Sequence, residues 1–147
     1  MVLSLIRRLS EARPEPFDKD ASQQALAALM VRLARTDGHY DLAEAAMITD
    51  ILMERFALDR QSAEDLRSTA EEVEAEAPDT VRFTRQIKDA VAYEDREAVI
   101  EALWQVVLAD GHRDNDENSL MRLVVNLLGV NDRNSALARQ RAEARRL

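Results

Sequence analysis

The residues of this chain best suited to chemistry stand in two acidic stretches, RTDGHYDLAE at 35–44 and LADGHRDNDE at 108–117. Both spell Asp-Gly-His-x-Asp-x-x-Glu, and together they hold the only two histidines. Their carboxylates are Asp37, Asp41 and Glu44 in the first copy and Asp110, Asp114 and Glu117 in the second. Several carboxylate oxygens with a loop carbonyl suit a hard divalent cation. If His39 or His112 joins them, the preference moves toward zinc, manganese or a similar ion. The spacing is not that of an EF-hand, because Gly follows the first Asp directly and Glu comes seven residues after it.

Helix punctuation accounts for part of the pattern without any ligand. Gly38 and Gly111 can end a helix in the left-handed conformation. Asp41 and Asp114 suit the N-cap of the next helix, and Glu44 and Glu117 fall three residues later, as in a capping box. Asp37 and Asp110 are left over, since a negative charge at a helix C-terminus opposes the helix dipole. The two histidines also lie outside the capping account.

An acidic carboxylate set with His also fits metal-assisted hydrolysis. The sequence carries no Ser-His-Asp order, phosphate loop or glycine-rich cradle to support it, and a non-enzymatic role is expected. No cysteine is present, which excludes disulfides, thiolate metal sites and Cys nucleophiles and agrees with a cytoplasmic setting. The formal net charge of −8 argues against nucleic-acid binding, which needs a basic surface.

The elements that must position these turns are helices. Only three Gly and three Pro interrupt an apolar content of 46%, and no segment alternates with period two. Helical stripes run through Leu26, Leu29, Met30 and Leu33; through Met47, Ile48, Ile51, Leu52 and Phe56; through Leu66, Ala70, Val73 and Ala77; and through Phe83, Ile87, Ala90 and Val91. They continue through Val99, Leu103, Val106 and Val107, then through Leu120, Leu123, Val124, Leu127 and Leu128, with Gly129 ending that helix. The expected fold is an all-α single domain of about seven helices.

Residues 1–18 read as a short amphipathic helix, with Val2, Leu5, Ile6 and Leu9 on one face, and a linker containing Pro14 and Pro16. The helical domain is expected over 19–147. Two charged segments remain: the acidic run SAEDLRSTAEEVEAEAPD, expected to be a solvated face, and the tail with Arg139, Arg141, Arg145 and Arg146. The tail arginines suit a helix C-terminus, and they or the N-terminal helix could also touch an acidic lipid surface or an acidic protein partner weakly. Trp104 stands one position from an apolar stripe and is expected in the core; Tyr40 and Tyr93 have no evident task.

Offsetting the chain by 73 residues lays Asp37, Gly38, His39, Asp41 and Glu44 on Asp110, Gly111, His112, Asp114 and Glu117. The same offset lays Asp59, Arg60, Ser62 and Ala63 on Asp132, Arg133, Ser135 and Ala136. Two helix-turn-helix halves, about 25–63 and 98–136, would bury their apolar faces by packing about a pseudo-twofold axis.

An apolar helix ending in Ala-Asp-Gly (LADGH), the matching ARTDGH of the first half and the acidic residues after each resemble the TerB family of tellurite-resistance proteins over residues 20–137. The resemblance implies an all-helical fold of two similar halves, a cytoplasmic and sometimes membrane-associated protein linked to metal or chemical stress, and use as a module beside protein partners such as co-chaperones. It also implies a metal-binding surface at Asp37, Glu44, Asp110 and Glu117, with Asp41 and Asp114 as companions. The basic tail and short N-terminal helix depart from the family pattern. The ion, the partner and the oligomeric state are not implied.

Overall fold

The protein is represented by a computed structural model. It describes residues 20–36, 38–77, 79–109 and 115–145, with side chains excepted at 20 and 115–117. The expected N-terminal helix at 1–18 and the tail residue Arg146 lie outside the described residues.

Seven α-helices form among the described residues: α1 (Asp20–Arg35), α2 (Leu42–Phe56), α3 (Arg60–Glu76), α4 (Val81–Ala90), α5 (Arg96–Ala109), α6 (Asn115–Leu127) and α7 (Asp132–Arg145). A short 3-10 turn at Tyr93–Asp95 leads into α5. No helix among the described residues is long and apolar enough to cross a membrane.

The core is built on α1 and α5, which lie in contact. Residues 25–31 of α1 are all buried, together with Leu33 and Ala34. A helix apolar all round must be covered on several sides, and α1 meets α2, α3, α4, α5 and α6. Its alanines, Ala25, Ala27, Ala28 and Ala34, allow close approach where the sequence stripe placed only the larger Leu26, Leu29, Met30 and Leu33. Helix α5 is similarly buried over residues 99–103 and 106–108. It supports α7 along much of its length and also touches α2 and α6.

The stripe on α6 is corrected by one position. Met121, Val124, Val125 and Leu128 face the core, whereas Leu123 is 45% exposed and Leu127 half-buried. Leu120, Leu123 and Leu127 form a neighbouring row on the same helix, and spacing alone does not choose between two adjacent apolar rows.

Capping signals recur in both halves, with a slip between them. Ala57 ends α2 at φ +52, and the Leu58 N–H bonds the Met53 carbonyl at 3.1 Å. Gly129 ends α6 at φ +73, and the Val130 N–H bonds the Val125 carbonyl at 3.1 Å. These are the same left-handed C-cap, offset by 72 residues instead of 73. Asp59 then caps α3 by accepting the Ser62 N–H at 2.7 Å, while Asn131 caps α7 by accepting the Asn134 N–H at 2.7 Å. The counterpart of Asp59 is therefore Asn131, not Asp132, which sits one residue inside the helix. Burial agrees: Ala63 and Ala70 are buried on α3, as Ser135 and Ala142 are on α7, whereas Ala136 is exposed. The two halves therefore differ in spacing by one residue toward the end of the second helix of each.

Candidate functional site: the first acidic turn and its polar support

The first turn is built as its residues dictate. The Thr36 hydroxyl donates to the Leu33 carbonyl at 2.7 Å, and the Gly38 N–H donates to the Arg35 carbonyl at 3.1 Å. Gly38 takes φ +80, a conformation that a side chain would strain. Asp41 is extended, and its Oδ1 accepts the Glu44 N–H at 2.9 Å. That is the expected N-cap of α2. His39 and Asp41 are exposed, Glu44 is half-buried, and Leu42 stands 89% exposed at the first position of the helix.

Tyr40 holds the turn from beneath. Its hydroxyl donates to the Glu71 carboxylate on α3 at 2.5 Å, and the Arg35 guanidinium lies 5.0 Å from its ring centre. Burial raises the tyrosine pKa, and the hydrogen bond to Glu71 with the charge of that carboxylate raises it further, outweighing Arg67 and Arg35. The phenol thus stays protonated and keeps donating. No tyrosine signal in the sequence pointed to this, because the partner is 31 residues away.

Glu71 and Glu74 belong to the acidic run that the sequence assigned to a solvated face, and here they turn inward. The Glu74 carboxylate accepts from Arg32 at 3.1 Å and from Arg35 at 2.6 Å. Arg32 also donates to the carbonyls of Glu74 and Ala77 at 3.2 and 2.7 Å, closing the C-terminus of α3, whose last carbonyls have no partners within the helix. Its guanidinium lies 5.3 Å from the Phe83 ring centre. The end of α1 is thereby bound to α3 just before the acidic turn.

Of the eight predicted metal-site residues, the structure describes the side chains of His39, Asp41 and Glu44. Asp37, Asp110, His112 and Asp114 lie outside the described residues, and Glu117 falls on α6 with its side chain outside them. No group of three or more His, Asp or Glu side chains among the described residues is arranged to hold a metal ion. The Asp41 carboxylate has further lone pairs beyond the cap bond with which to receive a ligand.

A second polar centre was not foreseen as a unit. Glu101 on α5 is buried and receives Arg55 from α2, with Arg141 at 2.7 Å and Arg145 at 3.0 Å from α7. Burial alone would raise its pKa, but the hydrogen bonds from Arg55 and Arg141 and the charges of Arg55 and Arg145 prevail and lower it. Arg145 also pairs with Glu54, and Arg141 stands 3.7 Å from Glu97. Arg141 and Arg145 of the tail thus meet acidic groups on other helices of their own chain, and Arg139 pairs with Glu143 on its own helix. Trp104, expected in the core, is half-buried; it donates to the Ser135 hydroxyl at 3.3 Å and lies under Arg139 at 5.1 Å.

Among solved structures, this fold is similar to that of a protein of unknown function from Porphyromonas gingivalis W83. The TM-score is 0.63 at 19% identity, covering 85% of this chain and 89% of that one. No curated protein matches. A family model described as tellurite resistance protein TerB matches residues 23–140, and with its all-helical architecture the chain belongs to the TerB family.

Proposed function

We propose that this TerB-family domain is a non-catalytic binding module whose acidic turns take a divalent cation in a metal or chemical stress response. The observation that carries the reading is the support beneath residues 38–44. Tyr40, Arg35 and Glu71 fix the loop from below, while His39 and Asp41 face solvent. A loop whose shape is set beforehand gives up little freedom on binding an ion. The ligands proposed are Asp37, His39, Asp41 and Glu44, with Asp110, His112, Asp114 and Glu117 in the second turn.

Calorimetric titration with calcium, magnesium, manganese and zinc tests this. Binding in the sub-millimolar range is expected, with a loss of about tenfold or more in the Asp37→Asn, Asp110→Asn double variant. Absence of heat, or a double variant that binds as well as the wild type, contradicts it.

One observation favours a second reading, a protein-interaction module in which the turns only cap helices: Oδ1 of Asp41 is engaged by the Glu44 N–H. Asp41→Asn keeps a good cap but removes the charge, whereas Asp41→Ala removes both. On the cation reading Asn at 41 weakens metal binding without altering stability. On the capping reading Asn is silent, and only Ala acts, costing about 1 kcal/mol in thermal or denaturant unfolding.

A further inference from the structure

The corrected offset shows that one interface of the first half is left open in the second. In the first half α2 and α3 pack together, and Arg67 closes the seam by donating to the Thr49 hydroxyl at 2.7 Å and to the Ala45 carbonyl at 3.2 Å. The counterpart of Arg67 on α7 is Arg139, at offset 72, and its pair with Glu143 at 3.2 Å repeats that of Arg67 with Glu71 at 3.6 Å. The counterpart of Thr49 on α6, at offset 73, is Arg122. Arg122 and Arg139 thus line one cleft in the second half, where the first half joins an arginine to a hydroxyl. The counterpart of the buried Val31 of α1, at offset 73, is Trp104 of α5, a far larger side chain. Two arginines and an indole stand where the first half has an arginine bonded to a threonine and a valine, and α6 and α7 scarcely touch.

The gap is a cleft of about 390 Å³, within the size range of small-molecule sites. Trp104, Met121 and Val125 supply apolar wall, and Arg122 and Arg139 supply positive charge. Asp132 is the one acidic residue lining it, so its formal charge is +1 on a chain of −8. Arg122 is exposed and makes no ion pair among the described residues. Asn118 and Ser135 add hydrogen-bonding capacity at the walls.

We infer that this cleft binds a small organic oxyanion, with its carboxylate or phosphate between Arg122 and Arg139 and its apolar body against Trp104. Guanidinium groups match either headgroup with paired N–H donors. The anion restores in the second half the polar bridge that Thr49 provides in the first. The site uses none of the acidic-turn residues, so its failure and the failure of the cation reading are separate results.

Trp104 is the only tryptophan, and its indole N–H signal in a nitrogen-correlated NMR spectrum reports the cleft directly. Benzoate and phenyl phosphate should each shift it saturably, and the tighter of the two identifies the headgroup. Benzamide, of the same shape but neutral, should bind about tenfold more weakly or worse. Arg122→Thr, which installs the first-half residue, should weaken anion binding at least tenfold while leaving helix content intact. Arg122→Gln should do the same without offering Arg139 a hydroxyl. The inference is overturned by an indole signal that neither anion saturates below about 10 mM, by benzamide binding as well as benzoate, or by both Arg122 variants binding like wild type.

Discussion

At the residue scale, Tyr40 and Ala57 carry consequences that their sequence neighbours do not announce. The acidic turn was legible because Gly38 and Asp41 act on adjacent backbone: a glycine able to take positive φ and a carboxylate three residues before a free N–H. Tyr40 acts across 31 residues, and local spacing holds no trace of such a partner. Tyr40→Phe should lower stability by about 1–2 kcal/mol, as expected for a hydrogen bond to a charged acceptor. Chemical denaturation measures this. Because folding raises the Tyr40 pKa, its contribution is full below the unfolded value near 10 and declines as pH rises toward the folded one. The difference between wild type and Tyr40→Phe should therefore narrow in strongly alkaline buffer; a constant difference contradicts the assignment. Ala57 is the only non-glycine residue at positive φ among the described residues, and it is exposed. Ala57→Gly should stabilise the fold by up to about 1 kcal/mol, read as a higher Tm.

At the scale of elements, the helices were legible from apolar periodicity and their ends from caps, but the repeat was legible only in part. Asp59 and Asp132 share a residue type and even a following Arg, which invited their pairing. Backbone geometry pairs Asp59 with Asn131 instead, because Ala57 and Gly129 occupy the same left-handed cap. Letter identity survived while the structural role moved by one residue. The tail helix α7 shows a related limit. Its arginines read as dipole complements or as an outward basic patch, yet Arg141 and Arg145 converge on Glu101 of α5. Nothing in the local sequence marks one buried glutamate in an apolar helix as their partner. Glu101→Gln should destabilise the fold by about 3 kcal/mol, since it leaves Arg55, 9% exposed, without its counter-charge. Folding lowers the Glu101 pKa, so the stabilisation is present above the unfolded value near 4.3 and is lost as pH falls through the folded value. Acid unfolding of the wild type should accordingly show a step that the Gln variant lacks.

At the scale of the whole molecule, two nearly fully buried helices, α1 and α5, each carry an acidic stretch beginning at or just beyond their C-terminal ends and a polar centre along their flanks. The all-helical class followed from composition and period, while the likeness to the TerB family rested on the LADGH and ARTDGH stretches and the acidic residues after them. The cleft between α6 and α7 did not, because it arises from comparing two halves in space: Trp104 and Arg122 become informative only once Val31 and Thr49 are known as their counterparts. The function proposed for the domain depends on whether its acidic turns take an ion. Paramagnetic broadening of backbone amides by substoichiometric manganese measures this residue by residue. The account predicts selective loss of amide signals at 37–44 and 110–117, reversed by excess magnesium or zinc and reduced in the Asp37→Asn, Asp110→Asn variant. Broadening spread over the acidic surface of α3, or none at either turn, would contradict it.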